Sequence, residues 1–293
     1  MKNNKYVVHI YNVFNVLMHE KMKPFILLLT LACIVSCGSN RRANAFLSHM
    51  DTLYQQNPAE AIIAIDSFMS CHNDTSQHNR MLLTLYRLRA QNSVGEPFAS
   101  DSLARKVVEY FDDNGSVEEQ MSAYYVLGSV YRDLDNYPEA LADYQKAVAL
   151  ADTTDGNKNN AFLNRVYGQM GDVLLSQLAF NEAGVAYSLA VRFACKDKDT
   201  LGVLLSKEQI ANVLYLQNRR DEACKLREWL HDEYLKNGFV REASKVLVPN
   251  VSTLLGRGKV EEVGRILRSY EEHSGDVDSL GNVVSGLEKY YND

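Results

Sequence analysis

The sequence predicts an all-α array of helical hairpins, and three observations carry that expectation. Ala, Leu, Glu, Lys and Gln dominate the long middle of the 293-residue chain. Five prolines and sixteen glycines are too few for an all-β chain that must turn every ten residues or so. The third observation is a spacing that repeats down the chain, the mark of stacked supersecondary units. With 46% apolar and 23% charged residues the chain can also bury a sizeable core, which sets disorder aside.

The clearest copy reads Tyr124-x-x-Leu127-Gly128-x-x-Tyr131, followed by Ala140-x-x-x-Tyr144-x-x-Ala147. It returns as Tyr167-x-x-Met170-Gly171-x-x-Leu174 with Ala183, Tyr187 and Ala190, then as Ile210-Ala211-x-x-Leu214 with Ala223, and faintly as Val251-x-x-Leu254 with Val263 and Leu267. Successive copies are offset by 43, 40 and 40 residues. Apolar residues at i, i+3, i+4 and i+7 give each helix one face, and the small residues at Gly128/Ala140 and Gly171/Ala183 let two antiparallel helices approach to about 8–9 Å. Glu139, Glu182, Glu222 and Glu262 fall in the first turn of each second helix, at the positive end of its dipole. Asn136-x-x-Glu139 has capping-box spacing, with Pro138 tolerated in the first turn. Upstream, Met81, Leu82, Leu85 and Leu88 with Leu103, Val107, Val108 and Phe111 read as another hairpin. Phe46–Leu53 with Ala61, Ile65 and Phe68 reads as the first.

This pattern resembles the tetratricopeptide repeat, most fully at 121–152 and 164–195, with Tyr where the family usually has Trp and Phe. The resemblance implies a right-handed superhelical array, an α-solenoid of about five to six hairpins over residues 43–293. The extra length over the family's period falls at Thr153–Asn160, Cys195–Thr200 and His231–Asn237, as inter-hairpin loops or extended second helices. It also implies a binding groove along the first helices. Projected here, its positions are Tyr125, Ser129, Arg132 and Asp133, then Arg165, Asp172 and Leu175, then Glu208, Asn212 and Tyr215. The Lys/Asn clamp with which some members grip a C-terminal carboxylate is not matched. The overall layout looks like the sensor half of exported repeat regulators of gut-type Gram-negative bacteria.

The N-terminus reads as an address. Lys21 and Lys23 precede an apolar run, Phe25 to Val35, that is short for a membrane span and right for a signal-peptide core. Ile34-Val35-Ser36-Cys37 resembles a bacterial lipobox, which implies cleavage before Cys37 and acylation of its thiol, with residues 1–36 the signal and 37–42 a lipidated tether. The alternative is a plain cleaved signal or membrane anchor ending at Cys37. Residues 1–21 are superfluous to either arrangement, and Met22-Lys23 is a conventional start. Gly38-Ser39-Asn40-Arg41-Arg42 lacks an acidic run, which points to the periplasmic side of the cell envelope.

Other function classes fare poorly. Residues 1–36 carry a net +3 within a chain total of −6, so the remainder carries −9 and repels nucleic acid phosphates. Cys33, Cys37, Cys71, Cys195 and Cys224 form no CxxC pair, and the histidines form no HExxH, so neither metal nor cofactor is expected. Gly256-Arg257-Gly258-Lys259 lacks the Walker spacing and reads as a hairpin turn. No nucleophile elbow or desolvated carboxylate pair suggests an enzyme. What remains is a membrane-anchored scaffold or sensor for protein or peptide partners. The alternative is a glycan-binding lipoprotein of the nutrient-uptake kind, against which the lone Trp229 is expected to pack beside Leu226 and Leu230 rather than stand free as a sugar platform.

At the C-terminus Leu280, Val283, Val284, Leu287, Tyr290 and Tyr291 describe one apolar helix face. It is expected to be the first half of an interrupted repeat open to self-association, or else a capping helix. The lipid reading is tested by Cys37→Ser: the variant should leave the membrane fraction after signal processing, and persistent membrane partition would refute it.

Overall fold

The structure is a computed structural model that describes residues 42–50, 52–54, 56–72, 75–151 and 158–273. The signal, Cys37 and the tether, apart from Arg42, and the C-terminal segment 280–293 lie outside the described residues. Every regular element described is helical, and the chain divides into two compact units, up to Glu119 and from Gln120. Among the described residues no helix is long and apolar enough to cross a membrane.

The first unit holds α1 (residues 42–50, continued at 52–54), α2 (Pro58–Cys71), α3 (Gln77–Val94) and α4 (Ser102–Asn114). Leu47 and Met50 of α1 meet Ile65 of α2 and Leu83 of α3 in one cluster, Phe46 stacks on Phe68, and α3 packs on α4, so the two upstream hairpins form as expected. Leu103 is the exception: it is exposed, and Leu83 rather than Leu82 is the fully buried residue of that turn of α3. An N-cap and a capping box occur where none was foreseen. Asn57 accepts from the Glu60 N–H and donates from Nδ2 to its carboxylate (2.9 Å). The Ser116 N–H donates to Glu119 Oε2 (2.7 Å) while Ser116 Oγ accepts from the Glu119 N–H.

Helix α5 (Val117–Asp133) opens the second unit's run of hairpins, paired with α6 (Tyr137–Leu150). Then follow α7 (Asn160–Ser176) with α8 (Phe180–Asp197), and α9 (Thr200–Leu216) with α10 (Arg220–Lys236). The extra length beyond 34 residues is settled at two of its three places as extended second helices, α8 and α10; residues 152–157 of the third lie outside the described residues. In the fourth hairpin the first helix is broken into α11 (Val240–Val246), a 3-10 turn (Val248–Asn250) and α12 (Val251–Leu255), before α13 (Val260–His273). Pro249 lies in the break, where it has no N–H to continue the ladder.

The crossing and the turn of the repeat each have a physical cause. Gly128 and Gly171 lie under the rings of Tyr144 and Tyr187, so close that a Cβ would come within 2.7 and 2.5 Å of ring carbons. The turns are equally regular. Asp135, Leu178, Asn218 and Gly258 adopt φ of 55°, 60°, 62° and 72°, at the 43, 40, 40 offsets of the repeat. After each, an N–H returns to a carbonyl five residues earlier: Asn136 to Tyr131, Ala179 to Leu174, Arg219 to Leu214, Lys259 to Leu254. Asn136 therefore closes α5 through its backbone, and its side chain makes no capping hydrogen bond with Glu139, contrary to the spacing. Asp, Asn and Gly tolerate the left-handed region, whereas Leu178 occupies it at a cost of about 1–2 kcal/mol. Gly256–Lys259 is indeed a hairpin turn.

Overpacking at a tight crossing costs about 1–3 kcal/mol. Gly171→Leu should accordingly lower the thermal midpoint well beyond Ser176→Leu, whose site is exposed; equal losses would contradict the crossing.

Candidate functional site

The face carried by the first helices α5, α7 and α9 is the candidate site, and the structure sorts its expected residues into three groups. Arg132, Asp133 and Asp172 form a connected polar row. Arg132 donates to Asp133 Oδ1 through Nε (2.8 Å) and Nη2 (2.6 Å), and through Nη1 to Gln169 Oε1 on the next first helix. Gln169 Nε2 donates in turn to Asp172 Oδ2 (3.3 Å), and the Tyr187 hydroxyl from the second helix donates to Asp172 Oδ1 (2.7 Å). Burial holds the Asp172 carboxyl above its ordinary pKa, opposed by the Tyr187 hydrogen bond and the Arg132 charge.

Tyr125 and Ser129 lie deeper. Tyr125 is half-buried, its ring edge-on to Phe162 (5.8 Å between centroids) and tilted against Tyr144 (6.0 Å). Ser129 does not line a groove: it is fully buried, accepting from the Tyr144 hydroxyl (3.1 Å) and donating to the Tyr125 carbonyl (3.0 Å). The cause is the glycine beside it. Gly128 draws the Tyr144 ring over α5, and the phenol oxygen then needs a partner one residue on.

The third group surrounds α9. Asn212 Oδ1 accepts from Nη2 of Arg227 (2.9 Å), whose Nη1 donates to Asn250 Oδ1 at the break in the fourth hairpin (3.0 Å). Arg227 is 1% exposed and its Nε has no hydrogen-bond partner among the described residues. Burial lowers its pKa, with the nearby Glu208 acting in the opposite sense. Glu208 accepts from the Tyr234 hydroxyl (3.0 Å), and burial raises its pKa. The guanidinium groups of Arg220 and Arg227 each lie 5.5 Å from the Tyr215 ring centroid. Arg165 is exposed and Leu175 half-buried. Beside them Gly168 leaves an opening, since a Cβ there would meet nothing within 4 Å.

Gln169, Tyr187, Arg227, Tyr234 and Asn250 were not anticipated. A signal for two of them was present: Ser129, Asp172 and Asn212 stand at the repeat offset, and Tyr144, Tyr187 and Arg227 each follow fifteen residues later, so one inter-helix contact recurs in three chemistries. Trp229 also departs from expectation. It is 41% exposed rather than packed, with the Lys207 ammonium 4.1 Å from its ring centroid.

Residues 122–153 match the family model of the tetratricopeptide repeat. No curated protein sequence matches the chain. Among solved structures, it is similar to the TPR-like repeats of a putative kinesin light chain of Podosopora anserina: 16% identity over 67% of this chain and 97% of that one, TM-score 0.51. RapI in its apo form aligns at 12% identity over 86% of this chain and all of its own, TM-score 0.56. Aspartyl phosphate phosphatase F of Bacillus subtilis aligns at 12% over all of this chain and 84% of its own, TM-score 0.59. At such identities the likeness is one of fold: an all-α solenoid of tetratricopeptide-like hairpins.

The raised Asp172 carboxyl fixes the sign of a pH effect. The folded state holds its proton more tightly than the unfolded state, so stability from this group rises as pH falls through the folded pKa and is lost as pH climbs above it. Between pH 7 and pH 4, wild type should gain stability relative to Asp172→Asn in urea titrations. A difference that is flat or of opposite sign would show that the carboxyl is not desolvated.

Proposed function

We propose that the first-helix face of the second unit binds a protein or peptide partner, on a chain anchored by Cys37 to a membrane of the cell envelope and facing the periplasm. The observation that carries the binding site is the row Arg132–Gln169–Asp172, polar and half-buried, running across successive first helices beside the opening at Gly168. Half-buried donors and acceptors can exchange hydrogen bonds with a chain laid across them, and the half-buried Tyr125 and Tyr215 are aromatic anchor candidates on first helices α5 and α9. Helical-repeat arrays present such extended faces without catalytic machinery, and no group on this face is disposed as nucleophile and base. The anchoring rests on the lipobox-like run alone. A sugar platform is disfavoured by the Lys207 ammonium, which occupies one face of the exposed Trp229 ring.

A photo-crosslinking residue at Gly168 has room to project without disturbing the fold. In envelope preparations it should give a discrete adduct that Arg132→Glu reduces at least tenfold, whereas the same residue at exposed Glu139 on α6 should give none. Adducts equal at both positions, or insensitive to Arg132→Glu, would place the site elsewhere.

A further inference from the structure

Two departures from the repeat fall on α8 and on the turn before it. Where the other turns carry Asp135, Asn218 and Gly258, the second carries Leu178, in left-handed backbone and 71% exposed. Further along, at 40-residue steps, the later second helices carry Lys225, Glu228 and Asp232, then Arg265, Arg268 and Glu272, a solvated face. The corresponding residues of α8 are Val185, Ser188 and Arg192, and Val185 is 62% exposed. Val185 and Arg192 are seven residues apart on α8, so they share one stripe.

Beside this stripe a furrow of about 550 Å³ runs between α8 and α9. Phe180, Ile210, Val213 and Leu214 give it an apolar lining. Gly184 adds no side chain to its wall. Arg192 and Arg219 are its charged residues, and no carboxylate is among the described residues lining it; Arg219 pairs with Glu222 (2.6 Å) outside. An amphipathic segment with an acidic flank fits this chemistry.

The chain itself contains one. Residues 274–293 carry Asp276, Asp278, Glu288 and Asp293 against Lys289. Leu280, Val283, Val284, Leu287 and Tyr291 repeat at the spacing of one helix face. As a helix, Leu280 to Tyr291 would measure about 17 Å, close to the roughly 18 Å of α8 from Phe180 to Arg192 at 1.5 Å per residue. In the packing order α9, α10 and α11 lie between α8 and α13, each packed layer adding about 8–10 Å. Residues 274–279 span about 20 Å when extended, so a second copy reaches the furrow with less strain than the chain's own tail.

We propose that residues 274–293 of one copy dock, apolar face inward, in the α8–α9 furrow of a second copy, and that reciprocal exchange closes a dimer. None of Arg132, Gln169 and Asp172 lines the furrow, so this interaction stands or falls apart from partner binding at that polar row. Sedimentation velocity of the purified chain over a concentration series tests it with Val185→Glu, Arg192→Glu, Val284→Asp, and a mixture of Val185→Glu with Val284→Asp. Wild type should sediment at twice the monomer mass. Val185→Glu and Val284→Asp should be monomeric with unchanged circular dichroism melts, and Arg192→Glu should weaken association at least tenfold. The mixture should recover part of the dimer, because one variant keeps an intact tail and the other an intact furrow. A wild type monomeric at every concentration, a dimer that survives both apolar substitutions, or a mixture no better than its components would overturn the proposal.

Discussion

A tyrosine ring seated on a bare glycine sets the geometry of the second unit. At Gly128 and Gly171 the absence of a side chain lets the ring of Tyr144 or Tyr187 lie flush on the first helix. Once the ring is fixed, so is the reach of its hydroxyl, and a buried hydroxyl without a partner costs about 1–3 kcal/mol. The residue after the glycine must therefore accept. Ser129 and Asp172 do so from the same position with different consequences: the serine is sealed inside, while the larger aspartate keeps a second oxygen for Gln169 and through it the Arg132 row. Core packing thus decides which polar groups the outer face can display.

The turns carry that geometry from one hairpin to the next. Each first helix is closed by a residue in left-handed backbone and an N–H that reaches back five residues, at the same offset as the glycine or its equivalent. The rotation between paired helices is set by backbone hydrogen bonds rather than by turn composition, which is why Asp135, Leu178, Asn218 and Gly258 serve the same role. Side chains then tie neighbouring turns together at matching positions: Gln217 Nε2 donates to Asn181 Oδ1 (2.9 Å), and Arg257 pairs with Asp221 one repeat on. With turns held in step, the first helices present equivalent faces and the polar row can bridge them.

The hairpins, their order and their crossing residues were legible because each rests on local spacing that survives substitution: small residues at the crossing, apolar residues every three or four, glutamate in the first turn. The fourth copy was faint for a physical reason, since Pro249 interrupts its first helix and only Val251 and Leu254 keep the pattern. The groove was less legible. Family positions gave Arg132 and Asp172 their place, yet could not tell that Ser129 would be claimed by Tyr144, or that Gln169 would join two helices. Such details depend on which partner a polar group finds across an interface, and Arg227 shows how far that can lie from pattern. Nor did the sequence show Trp229 exposed under Lys207, since a tryptophan flanked by Leu226 and Leu230 has the spacing of a packed residue.

Arg227 stands where the earlier hairpins place tyrosine, and Ala211 stands where they place glycine. A methyl group at the crossing leaves no seat for a flush ring, whereas a guanidinium on a flexible stem can pass it and donate beyond. It reaches Asn212 as the tyrosines reach Ser129 and Asp172, and its second arm extends to Asn250, where the broken helix needs a fixed polar contact. Burying the charge is costly, and Nε goes without a partner. Well-packed apolar residues often match or exceed buried ions in stability, so stability alone does not account for the residue. What the guanidinium supplies is a bond from a residue of the first-helix face to the broken first helix of the fourth hairpin. Asn212 and Asn250 share a single donor group, and residues that share a partner do not respond independently to substitution. The third and fourth hairpins are joined through that polar node, where the second holds its tyrosine by a contact within one hairpin.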